Sequence, residues 1–287
     1  MTVSELQIAA LDGEPLNATF YQPEGEPLAA VIVNPATGTP RGFYRAFCEH
    51  LASLGAAAVT YDYRGTAQPA AVLKRSRARM RDWGERDFPG VIDWLQARYP
   101  RLPVQVVGHS VGGHVLLLAP NNAKVVRAVL VATQSGYWKL YRGFERWRVY
   151  AFMKIIMPFL TRMFGYFPGS RVAFGVDLAP GVLYEWSRWC TSPQYFFADT
   201  TLRSLENAKH YTAPTRMIGL ADDPWGTPQA LDAFQIGFSN APVERVEIQP
   251  ASVGLPEIGH MGFFRSRNSA CWRYATDTLL MRSLIHE

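Results

Sequence analysis

The sequence predicts an α/β protein: a mostly parallel central sheet flanked by helices, with a helical cap inserted. Three observations predict it. Short apolar runs rich in β-branched residues alternate with segments whose apolar residues recur at helical spacing, the pattern of a parallel sheet covered on both faces. The alternation breaks near Gln134 and resumes near Thr212, and the stretch between is rich in aromatic residues. Within residues 104–118 an apolar strand runs through Gly108-His109-Ser110-Val111-Gly112 into an apolar helix. That is G-x-S-x-G in a strand–tight turn–helix setting.

The elements follow in order. Leu6–Ala10 and Leu16–Tyr21 flank the turn Asp12-Gly13-Glu14 and read as an antiparallel hairpin. Ala29–Asn34 is continuously apolar, as a strand buried on both faces must be. Phe43, Phe47, Leu51 and Leu54 give Phe43–Leu54 one apolar helical face, which Gly55 ends. The strand Ala57–Tyr61 runs into a turn, Asp62-Tyr63-Arg64-Gly65. Phe88, Val91, Ile92 and Leu95 line one side of a helix over Asp82–Arg98. Strand Val104–Val107, helix Val111–Leu118 and strand Val125–Val131 come next. After the interruption the spacing predicts strand Pro214–Gly219, helix Thr227–Phe238, strand Val243–Ile248 and a last helix Asn268–Ile285.

The interruption keeps helical spacing broken by Pro and Gly, and it concentrates residues such as Trp138, Trp147, Phe152, Met153, Phe174 and Trp186. Residues 134–210 are therefore read as the cap, and residues 1–133 with 211–287 as the core that carries the sheet. The chain's 287 residues, 48% hydrophobic and 18% charged, suffice for one large α/β domain with such an insertion.

The net charge of +5 does not make a nucleic-acid binder, because the basic residues are not gathered on one face. The one dense run, Lys74, Arg75, Arg77, Arg79, Arg81 and Arg86, reads as a solvated loop and helix start. The competing reading is contact with an anionic substrate such as a phosphorylated carrier. Cys48, Cys190 and Cys271 have no metal-ligand spacing and read as reduced thiols in or near the core. With no basic-then-apolar leader and no long uncharged apolar run, the expected location is cytoplasmic.

A serine at the bend before Val111 is exposed to substrate but needs a base, and the base needs a carboxylate. On such a strand–turn–helix the chain order is serine, acid, histidine. His50 precedes the serine. His109 and His114 have their directions set by the turn and the helix. His210 ends the cap and His286 lies beside the last residue. His260 remains, in the loop Gly259-His260-Met261-Gly262, where glycines allow close approach. The acid follows strand Pro214–Gly219, in Ala221-Asp222-Asp223-Pro224. Asp223 is preferred from its Asp-Pro step and its distance from Pro228, with Asp222 as the alternative acid. The oxyanion of an acyl-transfer intermediate needs two backbone N–H donors. Val111, at the helix start, is one. The other is assigned to Ala36 in Asn34-Pro35-Ala36-Thr37-Gly38, with Thr37 in reserve, since Pro35 cannot donate.

These segments together resemble the α/β-hydrolase fold superfamily, and are similar to bacterial predicted serine hydrolases and esterases with a helical cap. Asn34-Pro35 stands where the family usually has His-Gly. The resemblance implies a Ser-His-Asp mechanism with no cofactor and no metal, and leaves the substrate open. The reading that follows is a serine hydrolase of an ester or thioester with an apolar acyl group, held under the aromatic cap, with a carrier-linked or CoA-linked substrate among those it allows. The alternatives are acyl transfer or cyclisation through the same acyl-enzyme, and a ligand-binding relative without turnover. Contact of the cap with a membrane surface, with Lys154 and Arg162 flanking an apolar face over Tyr150–Phe167, is a variant of the first reading.

Overall fold

The computed structural model describes residues 1–280. An eight-stranded sheet has the order β1-β2-β4-β3-β5-β6-β7-β8. The strands are β1 (Thr2–Ala9), β2 (Pro15–Gln22), β3 (Ala29–Asn34), β4 (Ala56–Tyr61), β5 (Val104–His109), β6 (Val125–Val131), β7 (Thr215–Leu220) and β8 (Val243–Ile248). β1 and β2 form the expected hairpin, which starts earlier than its apolar residues suggest, and β2 pairs antiparallel with β4. Every other pairing is parallel. The continuous apolar strands are the central ones because helices cover both their faces. In β3, Ala30 and Ile32 enter one apolar cluster while Val31 and Val33 enter the other.

The helices used below are α1 (Arg45–Ser53), α2 (Phe88–Arg98), α3 (Val111–Leu118), α4 (Glu145–Ala151), α5 (Met157–Phe164), α6 (Pro180–Cys190), α7 (Pro228–Gln235), α8 (Gly259–Gly262) and α9 (Arg273–Leu279). One predicted helix and one stretch of the cap region widen for the same reason. The helix expected over Asp82–Arg98 holds a wide π turn at Trp83–Asp87, and another π turn, Phe152–Ile156, links α4 to α5. In each, the residue after the wide turn donates five residues back, Phe88 to Trp83 and Met157 to Phe152. A proline comes next, Pro89 or Pro158. It has no N–H for the following rung and its ring crowds the carbonyl four back, so the ladder widens ahead of it. The last predicted helix is also divided. Asn268 leaves helical geometry (φ −108°) and its amide donates to the Gly262 carbonyl at 3.0 Å. α9 then runs to Leu279, and residues 281–285 of the expected helix lie outside the described residues.

All eight strands fall outside residues 134–210. That segment supplies α4, α5 and α6, and its buried side chains, among them Trp138, Met153, Phe167 and Trp189, join the same apolar cluster as one face of the sheet. No helix among the described residues is long and apolar enough to cross a membrane. All three cysteines are buried and unpaired.

The basic run needs one correction. Arg81 is not solvated but buried, with its Nε 2.7 Å from Glu185 Oε1 on α6. Its Nη1 donates to the Thr201 carbonyl at 2.9 Å and its Nη2 reaches Asp199 Oδ2 at 3.1 Å. Removing one partner of a buried ion pair leaves the other charge uncompensated, at a cost of about 3–5 kcal/mol. Arg81→Leu is therefore expected to destabilise the fold by about that amount in urea denaturation. Arg75→Leu, at an exposed position of the same run, is expected to stay within about 0.5 kcal/mol of wild type.

Candidate active site

Ser110 sits between β5 and α3 at φ +52°, ψ −116°, a conformation that side chains other than glycine rarely adopt. Packing holds it there. Gly112 lies so close to β3 that a Cβ would stand 2.2 Å from the Asn34 carbonyl oxygen, and the Asn34 amide donates to the Gly112 carbonyl at 3.1 Å. A Cβ on Gly113 would meet Thr133 at 2.5 Å. The Thr133 hydroxyl donates to the Ser110 carbonyl at 3.0 Å.

His260 opens in the first turn of α8, its ring 4.8 Å from that of Trp225. Its Nδ1 is 2.7 Å from Asp223 Oδ2. Asp223 is fully buried. Burial pushes its carboxyl up, but the His260 charge, the bond to that ring and the amides of Gly226 and Trp225 outweigh this and hold it below its usual range. Asp222 does something else: its Oδ2 accepts the amides of Ile258 and Gly259, at 2.7 and 3.0 Å, bracing the loop that carries His260. Of the two adjacent aspartates, Asp223 meets the ring and Asp222 meets the backbone. Ser110, Val111 and His260 all line one cavity of about 410 Å³, together with Ala36 and Thr37.

The oxyanion assignment changes. Ala36 is at the cavity wall, but its N–H donates to the Tyr44 hydroxyl oxygen at 2.8 Å and is not available to a ligand. The reserve, Thr37, has an amide with no acceptor among the described residues. Val111 begins α3, so its N–H has no intrahelical acceptor.

Tyr44 and His109 are residues whose place in the site the sequence did not reveal. The Tyr44 hydroxyl is 2.8 Å from His109 Nδ1, and His109 Nε2 is 3.0 Å from the His260 carbonyl oxygen. A carbonyl only accepts, so Nε2 carries the proton and Nδ1 accepts from Tyr44. The result is one directed chain, Ala36 N–H to Tyr44 O–H to His109 to the His260 backbone. It ties the loop after β3 to the residue before Ser110 and to the loop after β8. His114 points its Nε2 at the Gln134 carbonyl, 2.8 Å away, and meets no carboxylate among the described residues.

Comparison with known proteins finds relatives of this chain. A family profile described as the alpha/beta hydrolase family matches residues 30–270. Monoglyceride lipase from Homo sapiens is 30% identical over 109 residues, 37% of this chain and 35% of that protein. The chain spans about a third of the length of the curated relatives it matches. DcsB, solved in complex with its substrate analogue, aligns at TM-score 0.65 and 17% identity, covering 97% of this chain and 99% of that one. A carboxyl esterase from Bacillus coagulans, solved with glycerol, aligns at TM-score 0.57 and 16% identity over 87% of this chain and 90% of that one. At such identities the likeness to these two structures is one of fold.

Two of the site's histidines are kept neutral. Burial, then the charge of His260, brings His109 down to about 3, and burial brings His114 down to about 3, from 6.5. The unfolded chain takes up these protons below pH 6.5 and the folded chain does not until about pH 3, so stability falls as pH drops through that window. Urea unfolding followed from neutral pH into that window is expected to lose stability with a slope approaching about two protons. His109→Asn is expected to lower stability at neutral pH and to flatten that slope by about one proton.

Proposed function

The chain belongs to the alpha/beta hydrolase family, and we propose that it is a serine hydrolase acting on an ester or thioester with an apolar acyl group. The observation that carries this reading is the 2.7 Å contact between His260 and Asp223 at the wall of the cavity that Ser110 also lines. His260 takes the proton of the Ser110 hydroxyl as its oxygen attacks the carbonyl, and Asp223 fixes the ring in the Nδ1–H tautomer and stabilises its positive charge. The amides of Val111 and Thr37 receive the oxyanion. The tetrahedral intermediate then collapses, and the proton held by His260 passes to the departing alcohol or thiol. Water, deprotonated by the same histidine, attacks the acyl-enzyme, releases the acid and restores Ser110.

The segment 134–210 acts as the cap in this reading. Val149, Phe152, Met153, Phe174 and Trp186 supply apolar lining to the cavity that Ser110 also lines. The relatives named above as a lipase and an esterase suit an ester substrate. The three buried thiols suit a reducing compartment such as the cytoplasm. The cap helices also expose Phe144, Trp147, Ile155, Phe159 and Met163. With Lys154 and Arg162 beside them, such residues suit adsorption to a lipid surface, and flotation of the protein with anionic liposomes tests that contact.

Ser110→Ala is expected to leave the fold intact and less than a few per cent of the wild-type rate on p-nitrophenyl esters. Asp223→Asn is expected to reduce kcat by roughly 10⁴, because an amide cannot hold the required tautomer. Asp222→Asn is expected to cost far less. The reverse order would make Asp222 the acid. Across wild-type rates from acetate to octanoate, kcat/KM is expected to rise at least about tenfold, which needs only about 1.4 kcal/mol of differential binding.

A further inference from the structure

The imidazole of His260 is held by a single hydrogen bond. Its Nδ1 is bonded to Asp223, and its Nε2 has no partner among the described residues. One such bond fixes a nitrogen but lets the ring swing about it, so the aim of Nε2 depends on what packs against the ring. Trp225 packs there, its ring 4.8 Å from the imidazole. It belongs to the acid loop, and its backbone N–H donates to Asp223 Oδ1 at 2.8 Å. One residue thus touches both Asp223 and His260. Its indole is half-buried and lines the cavity. The indole Nε1–H donates to Glu145 Oε1, on α4, at 2.6 Å. Arg148 binds the same carboxylate, with Nε 2.7 Å from Oε2. The bonds from Arg148, ahead of the one from Trp225, hold the Glu145 carboxyl below its usual range, so it stays an acceptor. The segment leading to Glu145 is fastened to the same loop. The Thr227 hydroxyl donates to the Leu140 carbonyl at 2.7 Å. Arg142 donates from its backbone to the Pro224 carbonyl at 3.3 Å and from Nη1 to the Ala221 carbonyl at 3.0 Å.

We infer that Glu145 and Trp225 are positioning residues for the reaction: the carboxylate on α4 fixes the indole, and the indole sets the direction in which His260 presents Nε2 to Ser110. The inference rests on the hydrolase reading above and deepens it. A charge-assisted bond at its one N–H leaves the plane of an indole little freedom. Tyr141 packs on the same ring, near-parallel to it with centroids 6.5 Å apart. Glu145 makes no hydrogen bond to His260 among the described residues and acts through Trp225. An error of about 1 Å in the aim of a reacting group costs up to about 100-fold in rate. Val149, one turn on from Glu145 in α4, lines the cavity. One helix therefore borders the acyl group and, through the indole, sets the base.

The test compares wild type, Glu145→Leu, Glu145→Gln, Trp225→Phe and the double variant Glu145→Leu with Trp225→Phe, on p-nitrophenyl acetate and octanoate. Glu145→Leu and Trp225→Phe break the bond from either end. Each is expected to lower kcat on both esters by at least about tenfold, with KM for the octanoate little changed. The double variant is expected to fall no further than the weaker single one, since both changes remove one interaction. Glu145→Gln keeps an acceptor for the indole and loses the charge, and is expected to bring kcat back to within about threefold of wild type. The rate at which a fluorophosphonate labels Ser110 needs the base but no acyl pocket, and is expected to follow kcat through the series. A raised KM for octanoate with kcat on acetate unchanged makes the two residues cavity wall only and overturns the inference. Losses that multiply in the double variant overturn it too. So do equal losses in Glu145→Gln and Glu145→Leu, which trace the effect to the ion pair with Arg148. All three outcomes leave the hydrolase reading standing. If Trp225→Phe does not fold, Glu145→Leu against Glu145→Gln decides. Wild type that neither hydrolyses the esters nor is labelled removes both readings.

Discussion

Ser110 is held at positive φ by contacts its own side chain does not make. The bend between β5 and α3 exists because the first turn of the helix lies against β3 and against Thr133 at closer range than any Cβ permits. Those approaches fix where α3 starts, hence the direction of the Val111 N–H, and they press the turn onto Asn34 at the head of the loop that carries Thr37. The buried chain through Tyr44 and His109 extends the same constraint to the backbone of His260. Loops from three strand ends are thus located relative to one another by hydrogen bonds that are buried, or part-buried at His260. A preorganised site needs this property, since groups that must reorient during a reaction raise its barrier.

The electrostatic arrangement follows from the same burial. The His109 ring lies 5.6 Å from that of His260, and His114 lines the same cavity as His260. His109 and His114 have backbone carbonyls as partners and sit in surroundings that disfavour their charged forms. Of the three, among the described residues, only His260 is given a carboxylate. Discrimination between chemically identical rings is achieved by what each one faces.

Much of this was legible in the sequence, and the reason is locality. The central strands announce themselves by continuous apolar runs, and the bend at Ser110 by its glycines. The loops with Asp223 and His260 stand out because each follows a strand that can be read directly. The pair Asp222-Asp223 could be located, with Asp223 preferred and Asp222 left as the alternative, since the choice depends on which carboxylate faces a distant ring, 37 residues beyond Asp223. The π turns were not read from Pro89 and Pro158, because a proline's effect falls on the turn before it rather than on the proline itself. Other features had no local signature. Ala36 satisfies every local requirement of a donor, and only Tyr44, folded back over it, removes it. Arg81 looks like its neighbours in a basic run, and its partner Glu185 is 104 residues away.

The Arg81 contacts bear on how such an enzyme can be re-engineered or diversified. The helices over residues 134–210 look like an exchangeable module, because the sheet is complete without them. Yet their deepest ionic anchor is an arginine that belongs to the preceding core sequence, bound to Glu185 and Asp199 in the module and to the Thr201 carbonyl. A graft cut at the sequence boundaries would separate the guanidinium from its acceptors. The unit that can be transplanted as a whole is therefore discontinuous: the insertion together with Arg81, or a foreign insertion together with an apolar residue at that position.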